Sequence, residues 1–264
     1  VAGSKGRPPF LKRGAMNKRL VFTVTSENPI YQRLAIDTHP AMAAYAEKCN
    51  ADFEILTVPK EKGEVCCWDK YQTPKFLRKY ERVLYVDTDI FICPDAGDIF
   101  DEVPVDKFGG YDEIPFSGES LKRVYSQYLA VLGFTHAERL GMEIKKYFNA
   151  GMFLASRGHE HAFLLPAVHG AFENNMELFK EQSLLNFNLQ KFCIPMHDVG
   201  VKFNAFLGHE QDGKICGYPF DQCKFIHLAG MFHNPKNSES DNVRIADEAM
   251  KLLKSRTEKK GVKI

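Results

Sequence analysis

Arg82–Ile92 reads RVLYVDTDIFI, an apolar run interrupted only by two aspartates and a threonine. Continuous apolar stretches such as VLYV are what burial on both faces of a sheet demands, so the run predicts a central strand with the D-T-D triplet at its carboxyl end. Upstream, Arg19–Thr25 (RLVFTVT) is a second strand, closed by the turn-forming Ser26-Glu27-Asn28-Pro29. Tyr31–Asn50 then reads as a helix, with Leu34, Ala35, Met42, Tyr45 and Ala46 at mixed three- and four-residue spacings. Asp52–Val58 is a strand and Trp68–Tyr80 a helix. Strand and helix alternating at this spacing predict an α/β chain with mostly parallel strands and helices on both faces. Downstream, helices are expected at Glu119–Leu132, His159–Phe172, Glu181–Gln190 and Asp241–Ser255. Strands are expected at Tyr147–Ala155, Cys193–Ile194 and Lys224–Leu228.

The 264 residues are 44% hydrophobic and 26% charged, which excludes a disordered or fibrous chain. Lys+Arg 35 against Asp+Glu 34 gives a net charge of +1, so no strong field points to nucleic acid or to a membrane surface. Residues 1–16 carry Lys5, Arg7, Lys12 and Arg13 without an acid; removing their +4 from the overall +1 leaves −3. They read as an expression leader or a basic arm ahead of a single domain over 17–264. The seven cysteines, 49, 66, 67, 93, 193, 216 and 223, show no C-x-x-C spacing; this predicts reduced thiols and a cytoplasmic location. No apolar run reaches the ~20 residues of a membrane span. Peripheral contact with anionic lipid through the C-terminal lysines stays open.

Chemistry concentrates in four segments. Ligands of open α/β sheets bind outside the carboxyl ends of the strands. Alternation there would turn Asp87 and Asp89 the same way, with Thr88 between, as hard oxygen ligands suited to Mg²⁺ or Mn²⁺. A lone D-x-D is otherwise an ordinary turn. Phe148-Asn149-Ala150-Gly151-Met152-Phe153 puts an amide and a glycine at a strand start, where backbone can approach a ligand closely. Glu181-Gln182-Ser183-Leu184-Leu185-Asn186 opens a helix with an acid and two amides. Phe225-Ile226-His227-Leu228-Ala229-Gly230 ends a strand with an imidazole and a flexible turn.

The order YVDTD, FNAGMF, EQSLLN, IHLAG resembles glycosyltransferase family 8, the glycogenin and bacterial lipopolysaccharide glycosyltransferases, and related viral and phage enzymes. There the usual forms are LDAD, FNAG or FNSG, DQ-x-x-LN and H-x-x-G. The resemblance covers roughly residues 18–235. It implies a GT-A (Rossmann-like) fold and transfer of a sugar from a nucleotide-sugar donor, usually UDP-linked, with Mn²⁺ or Mg²⁺ on the diphosphate. It also implies a glycan, lipid-linked or protein acceptor rather than nucleic acid. Asp87, Asp89 and His227 resemble the metal ligands, Asp87 also touching ribose. Asn149, Ala150 and Gly151 resemble the segment lining the donor sugar. Gln182, with Glu181 beside it, resembles the residues beneath the anomeric carbon, and an amide there favours retention. Tyr31 resembles the aromatic that covers the base, and Lys70 a lysine on donor phosphate or sugar. Thr25, Thr88 and Gly230 complete the implied donor site. Family 8 typically continues H-x-x-G-x-x-K-P-W; here His233 stands where the phosphate-binding lysine belongs and Lys236 follows three residues later. Asp112 and Glu113, after Gly109-Gly110, could face the donor sugar, although no spacing requires it. Residues 111–145 and 196–222 are the expected acceptor loops. The competing readings are a nucleotide-sugar-binding protein without catalysis and a sugar-phosphate nucleotidyltransferase. The latter lacks its G-x-G-T-R-L loop here, where the chain has TSENP.

Overall fold

The computed structural model describes residues 18–58, 66–135, 138–139, 142, 144–165, 180–232 and 237–259. In chain order the elements begin β1 (Arg19–Ser26), α1 (Pro29–Lys48), β2 (Asp52–Val58), a 3₁₀ segment (Cys66–Gln72), α2 (Thr73–Leu77), β3 (Arg82–Val86), β4 (Ile90–Ile92) and α3 (Ile99–Glu102). β5 (Phe108–Asp112), α4 (Ile114–Val131), β6 (Phe148–Ser156), α5 (Lys180–Lys191) and β7 (Met196–Asp198) follow. The chain continues through the short strands β8 (Ala205–Phe206), β9 (Glu210–Gln211), β10 (Lys214–Ile215) and β11 (Tyr218–Pro219), then β12 (Phe225–His227) and α6 (Glu239–Lys259).

The main sheet has the order β2-β1-β3-β6-β5-β7. β1 is parallel to β2 and β3, and β5 to β7, whereas β6 is antiparallel to both β3 and β5. Period-two alternation splits each central strand between two cores. Phe22 and Tyr85 join Phe108, Phe153 and Phe163 on one face, under α4 and α5. Val21, Leu84 and Val86 pack with Met42 and Tyr45 of α1 and Phe100 of α3 on the other. A small sheet, β4-β12-β8, leans on α6 through Ile226, Leu228, Ala249 and Leu253. The mixed α/β class is as expected.

Several local expectations are corrected. The run Arg82–Ile92 is not one strand: it turns at Asp87-Thr88-Asp89, where Ile90 N donates to Asp87 O at 3.0 Å. β3 stays in the main sheet, and β4 leaves to pair with β12. The Thr88 hydroxyl drives this turn inward by donating to Val24 O at 2.9 Å. Trp68–Tyr80 is a 3₁₀ segment followed by the five-residue α2, and at 159–172 only a 3₁₀ turn, Glu160–Phe163, lies within the described residues. Cys193, with φ +51°, belongs to the turn before β7 rather than to a strand. α4 starts at Ile114, five residues earlier than expected. β5, Phe-Gly-Gly-Tyr-Asp, was not expected at all. A Cβ on Gly110 would stand 2.9 Å from Phe148 Cγ, so the glycine that obscures the strand is required by the ring lying over it.

A candidate metal and donor site at the sheet switch point

β1 leads to β2 on one side and the chain then returns to β3 on the other, which makes the carboxyl ends of β1 and β3 a topological switch point. A cleft of about 540 Å³ opens there. Its walls include Tyr31, Lys70, Asp87, Thr88, Asp89, Glu113, Asn149, Gly151, Glu181, Gln182, His227 and Gly230. Most residues singled out in the sequence thus meet in one place.

The turn after β3 and the end of β12 bring ligand atoms of Asp87, Asp89 and His227 within 4.8 Å of one another. His227 Nε2 lies 3.3 Å from Asp89 Oδ1. Its Nδ1 lies 2.8 Å from the Oδ1 of buried Asn204, whose own Nδ2 donates to Asn149 Oδ1 at 2.9 Å. Asn204 therefore presents an acceptor, Nδ1 carries the proton, and Nε2 is the nitrogen turned toward the carboxylates. Gly151 closes the cradle: a Cβ there would overlap His227 Cε1 and stand 3.0 Å from Asp87 Oδ2. Two carboxylates and an imidazole with a directed Nε2 fit a divalent cation of the Mn²⁺ type.

The electrostatics are tight. Burial raises the Asp87 pKa, against the pull of the Lys70 ammonium 3.3 Å from its Oδ1. Burial also works against the Asp89 carboxylate, yet His227 outweighs it and holds that pKa below the ordinary value. Burial likewise opposes the imidazolium, and Asp89 nevertheless raises the His227 pKa. A cation held by this triad would need both carboxylates ionised and the imidazole neutral at Nε2. Lys70 is 2% exposed. Desolvation disfavours its charge, but Asp87 and Glu181 overcome this and keep its pKa above normal. Its ammonium also donates to Ala150 O at 3.0 Å and stands 3.5 Å from Glu181 Oε1.

α5 is fastened to β6 by Asn186, which accepts from Phe148 N at 2.7 Å and donates to Phe148 O at 2.8 Å. One turn earlier this places Gln182, whose Oε1 accepts from Ala150 N and Asn149 Nδ2, both at 3.0 Å. Gln182 Nε2 donates to Glu113 Oε2 at 2.9 Å. The motif FNAG thus serves both sides: Asn149 Oδ1 also accepts from Gly151 N at 2.9 Å.

Other expected site residues play a different part: Thr88 and Gly230 line the cleft, whereas Thr25 and Ala150 do not. The Thr88 hydroxyl is spent inward on Val24 O, Thr23 and His39. Thr25 is buried, its Oγ1 without a hydrogen-bond partner among the described residues, and Val24 rather than Thr25 lines the cleft. Ala150 contributes only backbone groups. Gly230, at φ +77°, forms the turn after β12. His233 and Lys236 lie outside the described residues. Two residues that no motif assigns to the site join it: Asn204, a lone amide in an irregular stretch, and Glu113, signalled only by its position after the Gly109-Gly110 pair. Among the described residues no helix is long and apolar enough to cross a membrane.

No protein-family model and no curated protein matches the sequence. Solved structures do. The chain is similar to a glycosyltransferase involved in glycosylation of the major capsid of PBCV-1, with TM-score 0.51 and 11% identity over 87% of this chain and 99% of that one. It is also similar to the apo structure of the bifunctional glycosyltransferase WbbM, with TM-score 0.54 and 14% identity over 95% of this chain and 53% of the larger protein. At these identities the likeness is one of architecture, and the chain has the GT-A type of fold shared with these glycosyltransferases.

Proposed function

We propose that the chain is a metal-dependent glycosyltransferase that moves a sugar from a nucleotide-sugar donor, UDP-linked, to a hydroxyl of a glycan, lipid-linked or protein acceptor. The observation that carries this reading is the convergence of Asp87, Asp89 and His227 on the wall of a cleft that also holds Lys70 and Gln182. A divalent cation in that triad would neutralise charge growing on the leaving diphosphate. Lys70 supplies a buried ammonium whose pKa burial lowers but Asp87 and Glu181 hold above the ordinary value. Tyr31, in the first turn of α1, offers a ring face for the base. Asn149 and Gly151 offer the start of β6 to the donor sugar, and His233 and Lys236 are proposed for the diphosphate.

Retention of anomeric configuration is the favoured outcome. Gln182 is an amide, a poor base whose dipole stabilises an oxocarbenium-like centre, and Glu181 is paired with Lys70. NMR of the product linkage against the donor tests this, and an inverted linkage overturns it.

The reading as a whole is tested by thermal shift and transfer assays with UDP- and GDP-sugars, with and without Mn²⁺. A donor at 100 times its Kd adds roughly 2.7 kcal/mol of stability. Asp89→Ala is expected to lose Mn²⁺-dependent donor binding and most activity with its fold intact. Full transfer in excess chelator would sink the metal assignment.

A further inference from the structure

We propose that Glu113 is a catalytic residue, the acceptor of the proton released by the incoming hydroxyl. The assignment rests on the glycosyltransferase reading and deepens it. Glu113 stands between β5 and α4 on the cleft wall. Its Oε2 accepts from Gln182 Nε2 at 2.9 Å and its Oε1 from Asn149 Nδ2 at 3.3 Å. Those donors have no freedom to turn away. The Ala150 N–H fixes the Gln182 oxygen and the Gly151 N–H fixes the Asn149 oxygen, so both amide NH₂ groups must point at Glu113. Each carboxylate oxygen keeps a second lone pair for a ligand.

The other acids of the site are committed elsewhere. Asp87 and Asp89 belong to the metal triad, and Glu181 is paired with Lys70. Asp112 accepts from the Tyr147 and Ile114 N–H groups. Among the described residues Glu113 makes no ion pair. Burial pushes its carboxyl up to about 7, opposed by the two amides that favour the charged form. That lies close to the working range of a general base. Beyond it the cleft is lined by Ser117 and Ser120 of α4, beside Phe116, which is 49% exposed. Two hydroxyls next to an exposed ring suit a polyhydroxyl acceptor.

In the step, the acceptor O–H bond breaks and its proton passes to a Glu113 oxygen as the new O–C1 bond forms. The C1–O bond to the diphosphate breaks, and its electron pair leaves with the nucleoside diphosphate. The proton then leaves to solvent through the open cleft. Attack on the side of the departing diphosphate is compatible, with Glu113 taking the proton that the diphosphate would otherwise receive. Gln182 is thereby also a positioning residue for Glu113.

The test is Glu113→Gln with Glu113→Asp as the conservative variant, in the full chain with Mn²⁺ and the active UDP-sugar. Charged and titratable groups whose fields act on Glu113 include Asp112, Tyr111, Tyr147, Cys216 and His227, with Lys70, Glu181 and His209 on the same cleft wall, and all remain in both variants. E113Q is expected to lower kcat by on the order of 10²–10⁴, to leave donor Kd within about threefold, and to flatten the acidic limb of kcat/KM that the wild type shows around neutral pH. E113D is expected to keep that limb at reduced rate. An E113Q enzyme with wild-type kcat, or with the limb intact, overturns the assignment while leaving the glycosyltransferase reading standing. A wild-type chain that binds no nucleotide sugar and transfers none removes both.

Discussion

Asn204 Oδ1 lies 2.8 Å from His227 Nδ1, and the direction of that hydrogen bond is set by a backbone amide within a different motif. Gly151 N donates to Asn149 Oδ1, Asn204 Nδ2 donates to the same oxygen, and so the Asn204 oxygen is left for the imidazole. The start of an interior strand thus selects the tautomer of a histidine 76 positions later in the chain. Asn204→Ala is expected to weaken Mn²⁺ binding about 10–100-fold, the usual cost of removing such an outer partner. Titration of Mn²⁺ followed by EPR, without donor or acceptor, measures it directly; unchanged affinity would remove Asn204 from the metal site.

Gly151→Ala places a methyl group against His227 Cε1 and 2.9 Å from Asn149 Oδ1. These two and Asp87 Oδ2, at 3.0 Å, are held by hydrogen bonds rather than free to swing, so the clash is expected to cost about 1–3 kcal/mol. Mn²⁺ affinity should fall with it. Urea unfolding and metal titration on the same variant check both, and a variant as stable and as metal-competent as the wild type would show that the cradle is looser than drawn.

Tyr31 enters the cleft because Asn28 caps α1, its Oδ1 accepting from Ile30 N at 2.9 Å with Pro29 at the first helical position. Tyr31→Ala is expected to raise donor Kd by one to two orders of magnitude, on the ~1–3 kcal/mol that a stacked base contributes in nucleic-acid systems. Calorimetry with the UDP-sugar reads this out, and folding is checked by circular dichroism. An unchanged Kd in a folded variant places the base elsewhere.

Glu113 also imposes a pH dependence on stability. Its folded pKa of about 7 stands above the ordinary 4.5, so between these values the folded state holds a proton that the unfolded chain has released. Stability contributed by this group is therefore greatest at low pH and is lost as pH rises through that window. Glu113→Gln removes the dependence. The variant is expected to gain on the wild type from pH 5 to 8, by at most about 3 kcal/mol. Denaturant midpoints at pH 4.5 and pH 8 measure the difference; a gap that is constant with pH contradicts the buried-carboxyl account.

The sequence by itself determined much of this protein. Apolar alternation and turn chemistry are local, and they locate β1, α1, β2 and β6 closely, as well as the D-T-D at a strand end. The four motifs also name Asp87, Asp89, His227, Asn149 and Gln182, all of which the fold brings to one cleft. What the pattern could not carry is direction and partnership. A strand buried on both faces reads the same parallel or antiparallel, so the reversal of β6 against β3 and β5 is decided by connection and packing alone. The turn at Thr88 is decided by Val24 O, 64 residues away, and β5 is hidden because the ring of Phe148 demands glycine where a strand would otherwise show a side chain. Glu113 and Asn204 acquire their places only once β5, β6, β12 and α5 are assembled. Each then answers to an amide whose orientation a backbone N–H of β6 has already settled. Local propensity writes the elements; which polar groups face one another, and in which protonation state, follows from long-range packing that desolvates them and leaves each donor one acceptor.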